Sequence, residues 1–185
     1  MKTHIRLEAP DEVATISRIV GDAFGNDKTP DLLQALRDSN AWLGLSFVAE
    51  VGGELVGHIS FTRGWLDAPD EIVEVLILSP VSVLPSHQRQ GIGTHLILTA
   101  LEMLATRAEP LIFLEGDPRF YSRLGFLPGK EADFIRPSVR IPEPAFQFVK
   151  LPKYESWMTG QLVYPDAFWE MDCVGLRGER LRRWN

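Results

Sequence analysis

One stretch of the chain has residue types and spacing that point directly to a ligand: Gln88-Arg89-Gln90-Gly91-Ile92-Gly93-Thr94. It follows an apolar, β-branched run from Glu74 to Leu84 and opens a long apolar segment that runs to about Arg107. A strand feeding a glycine-rich helix start leaves amide N–H groups unpaired and aims the positive end of the helix dipole at one spot, which is a geometry that holds anions. A phosphate is the expected guest. A dinucleotide fingerprint would need a third glycine where Leu96 stands. A P-loop would need Lys and then Ser or Thr after its last glycine, where Ile92 and Gly93 stand instead.

Val83-Leu84-Pro85-Ser86-His87-Gln88-Arg89-Gln90-Gly91-Ile92-Gly93 resembles the acyl-CoA signature of the GNAT N-acetyltransferase superfamily, Gln/Arg-x-x-Gly-x-Gly/Ala after a strand. Phe120-Tyr121-Ser122-Arg123-Leu124-Gly125-Phe126 is similar to a second element of these enzymes, Phe-Tyr-x-x-x-Gly-Phe. The preceding Gly116-Asp117-Pro118 resembles a bacterial branch of predicted small-molecule acetyltransferases. The resemblance covers about residues 3 to 130. It implies an α/β fold with a mixed, mostly antiparallel central sheet, splayed at the acyl-CoA site and flanked by helices. It also implies acetyl-CoA as cosubstrate, and transfer of the acetyl group to a primary amine by direct attack. The alternative is a non-catalytic acyl-CoA-binding or sensor protein of the same fold.

The resemblance also assigns roles. The amides of Gln88, Arg89, Gln90, Gly91, Ile92, Gly93 and Thr94 would hold the pyrophosphate. Backbone groups near Val83 and Leu84 would pair with the pantetheine amide, and a main-chain N–H nearby would polarise the thioester carbonyl. Tyr121 is the expected general acid, since a phenol of pKa near 10 stays protonated at neutral pH and can supply a thiolate whose thiol has a pKa of about 8.5. The base must be a carboxylate acting on the amine, directly or through water. Glu74, at the start of the central strand, is the first choice, with Glu115 and Asp117 behind it. His58 and His87 read as satisfied polar residues, and Cys173 as a small apolar filler.

These residues need elements to position them. His4 to Glu8 reads as a strand, and Val13, Ile16, Ile19, Val20, Ala23 and Phe24 fall on one face of a helix that Gly25 ends. Thr29-Pro30-Asp31 predicts an N-cap and first turn for a second helix through Leu32, Leu33 and Leu36. Ser46 to Phe61 predicts a hairpin turning at Gly52-Gly53, with His58 on the strand face opposite the more apolar one. Thr62 to Asp70 reads as a polar connection, and Glu74 to Leu84 as a central strand locally unpaired at Pro80. The helix from Gly91 carries a polar stripe of His95, Thr99, Glu102 and Thr106. Leu111 to Glu115 is the next strand, Asp117 and Pro118 cap a short helix, and Gly125 ends it. Ala145 to Leu151 and Gln161 to Tyr164 are the expected last strands.

Composition bounds the rest. The 185 residues, 45% of them hydrophobic, suit a single domain over 1–185, with residues 131–185 completing the sheet and the acceptor side. A net charge of −6 disfavours nucleic acid and favours a small-molecule amine as partner; a homodimer stays open. One cysteine excludes an intrachain disulfide and a cysteine-built zinc site, and four histidines without ligand spacing leave no metal site expected. With no apolar leader and no bilayer-length stretch, no membrane partner is expected and the cytoplasm is the default location. The basic tail from Arg177 to Arg183 reads as an exposed end.

Overall fold

The computed structural model describes residues 3–174. The chain gathers into two compact units: the residues up to Thr62 with Leu78–Arg107, and Arg63–Ile77 with the residues from Ala108 onward. The basic tail lies outside the described residues.

In the first unit, β1 (Thr3–Leu7) pairs antiparallel with β2 (Trp42–Val51), and β2 with β3 (Glu54–Asp67). The β2–β3 hairpin turns at Gly52 and Gly53, whose φ values of 60° and 87° are those of a primed two-residue turn. Helix α1 (Val13–Phe24) ends at Gly25 in the left-handed conformation, as its spacing predicts. Helix α2 (Lys28–Arg37) starts earlier than expected. Its N-cap residue is Asp27, and the side chain that takes up a first-turn amide is Asn26, whose Oδ1 accepts from Thr29 N at 2.9 Å. Thr29 is therefore a first-turn residue and not the cap.

Ile16 and Val20 of α1 and Leu33 of α2 pack on Val48 of β2. On the other face of this sheet, α3 (Ile92–Leu104) packs on β1 and β2, and Leu96 lies against Gly57. Helices thus cover both faces, which is why β3 is buried on both. The exposed face of α3 includes Leu98 and Met103 beside the polar stripe.

β3 corrects a second expectation. It continues through Thr62 to Asp67 as a strand, where the sequence reads as a connection, and its end pairs antiparallel with β9 (Gly160–Val163) in the second unit. Gly64 reads as a turn residue but meets a packing demand: a Cβ there would stand 2.7 Å from Ile77 Cδ1.

In the second unit, β4 (Ile72–Val83, entering the first unit at Leu78) pairs parallel with β5 (Leu111–Glu115) at Leu76–Ile112 and Ile77–Phe113. Both pairs lie before Pro80. β5 pairs antiparallel with β8 (Phe146–Lys150), which also takes β6 (Leu127–Pro128), while β7 (Phe134–Ile135) runs parallel to β9. The arrangement is mixed and mostly antiparallel, as the resemblance implies. Its core is aromatic: Phe113 lies 4.9 Å from Phe134, 5.6 Å from Phe146 and 6.2 Å from Phe148, centroid to centroid. Two short helices remain, α4 (Pro118–Tyr121), extended by a 3₁₀ turn to Leu124, and α5 (Asp166–Glu170).

Candidate functional site

The glycine-rich turn belongs to the first unit. After β4 a 3₁₀ turn over Pro85–His87 reverses the chain, and two glutamine side chains brace it: Gln88 Nε2 donates to Val83 O at 3.0 Å and Gln90 Nε2 to Ser86 O at 3.2 Å. Arg89 and Gly91 then adopt φ of 61° and 83°, both left-handed. A Cβ on Gly91 would meet nothing within 4 Å, so glycine is required there by conformation and not by space. The first helical hydrogen bond of α3 runs from His95 N to Gly91 O at 2.9 Å. The six amides from Arg89 to Thr94 donate to no acceptor among the described residues. Successive N–H groups in such a turn at a helix N-terminus form a concave donor set for an anion. Ile92 anchors it, buried under the first turn.

Of the two residues expected to meet a pantetheine arm, Leu84 has its amide committed to Val56 O at 2.8 Å, and Val83 has its carbonyl already accepting from Gln88. The Leu84 carbonyl also accepts already, from His87 N at 2.8 Å, so each of the two carbonyls offers only its second lone pair.

The second unit holds Tyr121 and the three carboxylates. Asp117 caps α4, accepting from Arg119 N at 2.9 Å, and the Arg119 guanidinium holds its carboxyl below the usual range. Tyr121 follows on α4, and its ring packs against Gly116 and, edge to face, against Phe120 and Phe126. Burial pushes its pKa up to about 12. Its hydroxyl makes no hydrogen bond among the described residues, so its proton is uncommitted. Glu74 is half-exposed and ion-paired, Oε1 lying 3.1 Å from Arg63 Nε.

Glu115 is the more perturbed carboxylate. The residue keeps an open edge to solvent, yet enough protein surrounds its carboxyl that burial pushes the pKa up, against a hydrogen bond from Tyr164 that works the other way. Tyr164 is buried, and its own pKa is raised, by burial first and the Glu115 charge second. Sequence reasoning ranked Glu115 behind Glu74 and missed Tyr164, which lies in no motif and reaches Glu115 only through the folding of β9 and its following loop.

His58 is fully buried in a polar cluster. Arg37 forms a two-pronged ion pair with Glu8, Ser46 Oγ donates to Glu8, and His58 Nε2 lies 2.8 Å from Ser46 Oγ. Because the Ser46 proton is spent on Glu8, His58 must donate through Nε2, leaving Nδ1 unprotonated and without a partner among the described residues. Burial pushes its pKa down to about 3. His87 sits in the glycine-rich turn, its Nδ1 3.0 Å from Ser86 Oγ, and Cys173 is half-buried. No helix among the described residues is long and apolar enough to cross a membrane.

Comparison with known proteins agrees with this geometry. Residues 4–129 match the family model of an acetyltransferase (GNAT) domain. The chain is 35% identical over 118 residues to an uncharacterized N-acetyltransferase of Escherichia coli, YjhQ, a match that covers 63% of this chain and 65% of that protein. A second relative, from Methanocaldococcus jannaschii, is 34% identical over 86 residues, covering 43% of this chain and 38% of its own length. The chain therefore spans less than two thirds of the length of either relative. Among solved structures, the E. coli GNAT family N-acetyltransferase YhbS in complex with CoA superposes with a TM-score of 0.81 at 25% identity, over 90% of this chain and 92% of that one. A GNAT family acetyltransferase from Brucella melitensis in complex with acetyl-CoA gives 0.72 at 31% identity, over 91% and 99%. With the donor-rich turn in place and the family model matching most of its length, this chain belongs to the GNAT acetyltransferase family.

Proposed function

We propose that the protein transfers an acetyl group from acetyl-CoA to a primary amine by direct attack. The amine nitrogen adds to the thioester carbonyl to form the C–N bond, and the tetrahedral adduct then collapses with cleavage of the C–S bond and release of the CoA thiolate. The observation that carries this reading is the run of six unpaired amides from Arg89 to Thr94, the donor set that a pyrophosphate needs. Gly91 and the bracing Gln88 and Gln90 keep that set in place without contributing charge.

The acid and base roles fall to the second unit. Tyr121, protonated at any physiological pH and free to donate, delivers the proton to the departing thiolate. An alkylammonium must lose a proton before it can attack, and a carboxylate with a raised pKa is the better match for that task. Glu115 meets this condition, whereas Glu74 is neutralised by Arg63 and Asp117 is occupied as a helix cap. Glu115 is therefore preferred over Glu74 as the base.

Thiol release measured with a panel of primary amines at fixed acetyl-CoA tests the reading. Amine-dependent release supports it. Tight acetyl-CoA binding with no release for any amine would leave a non-catalytic acyl-CoA-binding protein in its place.

A further inference from the structure

The second unit carries a cleft of about 270 Å³ lined by Lys130, Phe134, Ile135, Arg136, Glu143 and Phe146. That is near the lower end of ligand-site volumes, roughly 300–1,000 Å³. Its floor is apolar, since the buried rings of Phe134 and Phe146 both pack on Phe113. Its rim is cationic in sum. Lys130 Nζ lies 3.7 Å from Glu143 Oε1, so these two charges largely cancel and about one positive charge is left, on Arg136.

Arg136 is half-buried, and its guanidinium has no hydrogen bond, ion pair or ring partner among the described residues. Only its backbone is tied, the carbonyl accepting from Gln161 Nε2 at 2.9 Å. A guanidinium held beside an aromatic floor without an anion has lost some hydration and gained nothing for it. A carboxylate, which it can bind through two parallel N–H···O bonds, restores the balance. A single residual positive charge matches a singly charged carboxylate better than a doubly charged phosphate.

The cleft also adjoins the proposed base. Phe146 stands directly opposite Glu115 across the β5–β8 pair. Residues so placed put their side chains on one face with Cβ atoms roughly 4.5–5.5 Å apart. One wall of the cleft and the Glu115 carboxylate therefore share a face of the sheet.

We propose that this cleft receives the anionic end of the acceptor, which is then an amine that also bears a carboxylate and an apolar body, with Arg136 gripping the carboxylate and Phe134 and Phe146 taking the apolar part. The amine half of this inference rests on the acetyl-transfer reading; the anion half stands on the cleft alone. Binding of 3-phenylpropionate and of its neutral amide to the full chain, measured by calorimetry without acetyl-CoA, tests the anion half. The acid should bind at least about tenfold more tightly than the amide, and Arg136→Gln should abolish the difference while melting at the wild-type temperature. Equal binding of acid and amide, or an unchanged acid affinity in Arg136→Gln, overturns it.

Thiol release with aryl-substituted amino acids and their carboxamides tests the amine half. Arg136→Gln should raise KM about tenfold or more for the acids alone, leaving kcat and the acetyl-CoA KM unchanged. A KM for the acids that ignores the substitution overturns the acceptor assignment. Absence of release with every amine, while 3-phenylpropionate still binds through Arg136, would instead strike the acetyl-transfer reading and leave the anion cleft standing.

Discussion

The ring of Tyr121 occupies the space that a side chain on Gly116 would need: a Cβ built there would overlap Cε2 and stand 2.7 Å from Cδ2. Gly116 is also fixed from behind. Its amide donates to Ala145 O at 3.0 Å and its carbonyl accepts from Gln147 Nε2 at 3.1 Å, so the backbone cannot retreat without breaking two bonds to β8 and its approach. Glycine at this position sets where the proposed acid sits.

Gly116→Ala should therefore act through Tyr121. Overpacking of this kind costs roughly 1–3 kcal/mol, and a displaced acid lowers kcat by about tenfold or more. Acetyl-CoA affinity, which depends on the amides of Arg89 to Thr94, should change little. Melting temperature, donor affinity and kcat on one variant check this; an unchanged kcat would show that the ring position does not matter to turnover.

The pH dependence of turnover should follow Glu115. A base must be deprotonated to act, so kcat/KM should fall as pH drops through its pKa, which burial places above the ordinary value of 4.5. Tyr164→Phe removes the hydrogen bond that holds that pKa down, so the acidic limb of the profile should move to higher pH. Stability has the opposite sense: a carboxyl with a raised folded pKa contributes stability that is fully present below 4.5 and is lost as pH rises through the folded pKa. A limb that moves with Glu74→Gln and not with Tyr164→Phe would return the base role to Glu74.

His58 should govern part of the acid unfolding. Burial pushes its folded pKa from 6.5 down to about 3, with the Glu8 charge pulling upward and Arg37 downward beside it. The unfolded chain thus binds a proton the native chain refuses, and the stability His58 contributes is complete above 6.5 and is lost as pH falls toward about 3. One such proton gives a slope of up to about 1.4 kcal/mol per pH unit. Denaturant melts between these limits should show a shallower slope in His58→Gln than in wild type. Parallel slopes would mean that the ring is protonated in the native state.

The parts of this molecule that sequence reveals are those whose cause is local. Gly91 and Gly125 need left-handed backbone, Asp117 needs only its own next two residues to cap α4, and the amides of Arg89 to Thr94 are unpaired because a helix begins there. What stays hidden depends on distant chain. Gly64 reads as a turn until Ile77 and β9 are brought beside it, and the run from Thr62 to Asp67 reads as polar because its partner strand lies nearly a hundred residues away. The Glu8, Arg37, Ser46 and His58 cluster draws on four separate elements or their ends, and no single window of sequence contains a pair that announces it. Glu115 shows the same limit in the site: its neighbour Tyr164 is remote in sequence, so its raised pKa had no local sign.

Tyr121→Phe is the sharpest test of the mechanism. The substitution removes one oxygen and keeps the ring, so the contacts with Gly116, Phe120 and Phe126 persist. A buried hydroxyl with a partner would cost roughly 1–3 kcal/mol to lose. The Tyr121 hydroxyl has no partner among the described residues, so the melting temperature should be unchanged or slightly higher. If that hydroxyl protonates the departing thiolate, kcat should fall by on the order of 10²- to 10⁴-fold while the acetyl-CoA KM stays nearly constant. The loss should also fade as the leaving thiol is made more acidic, because a better leaving group needs less help from an acid. A variant that turns over normally with acetyl-CoA would remove Tyr121 from the reaction and leave protonation of the thiolate to water or to the attacking amine.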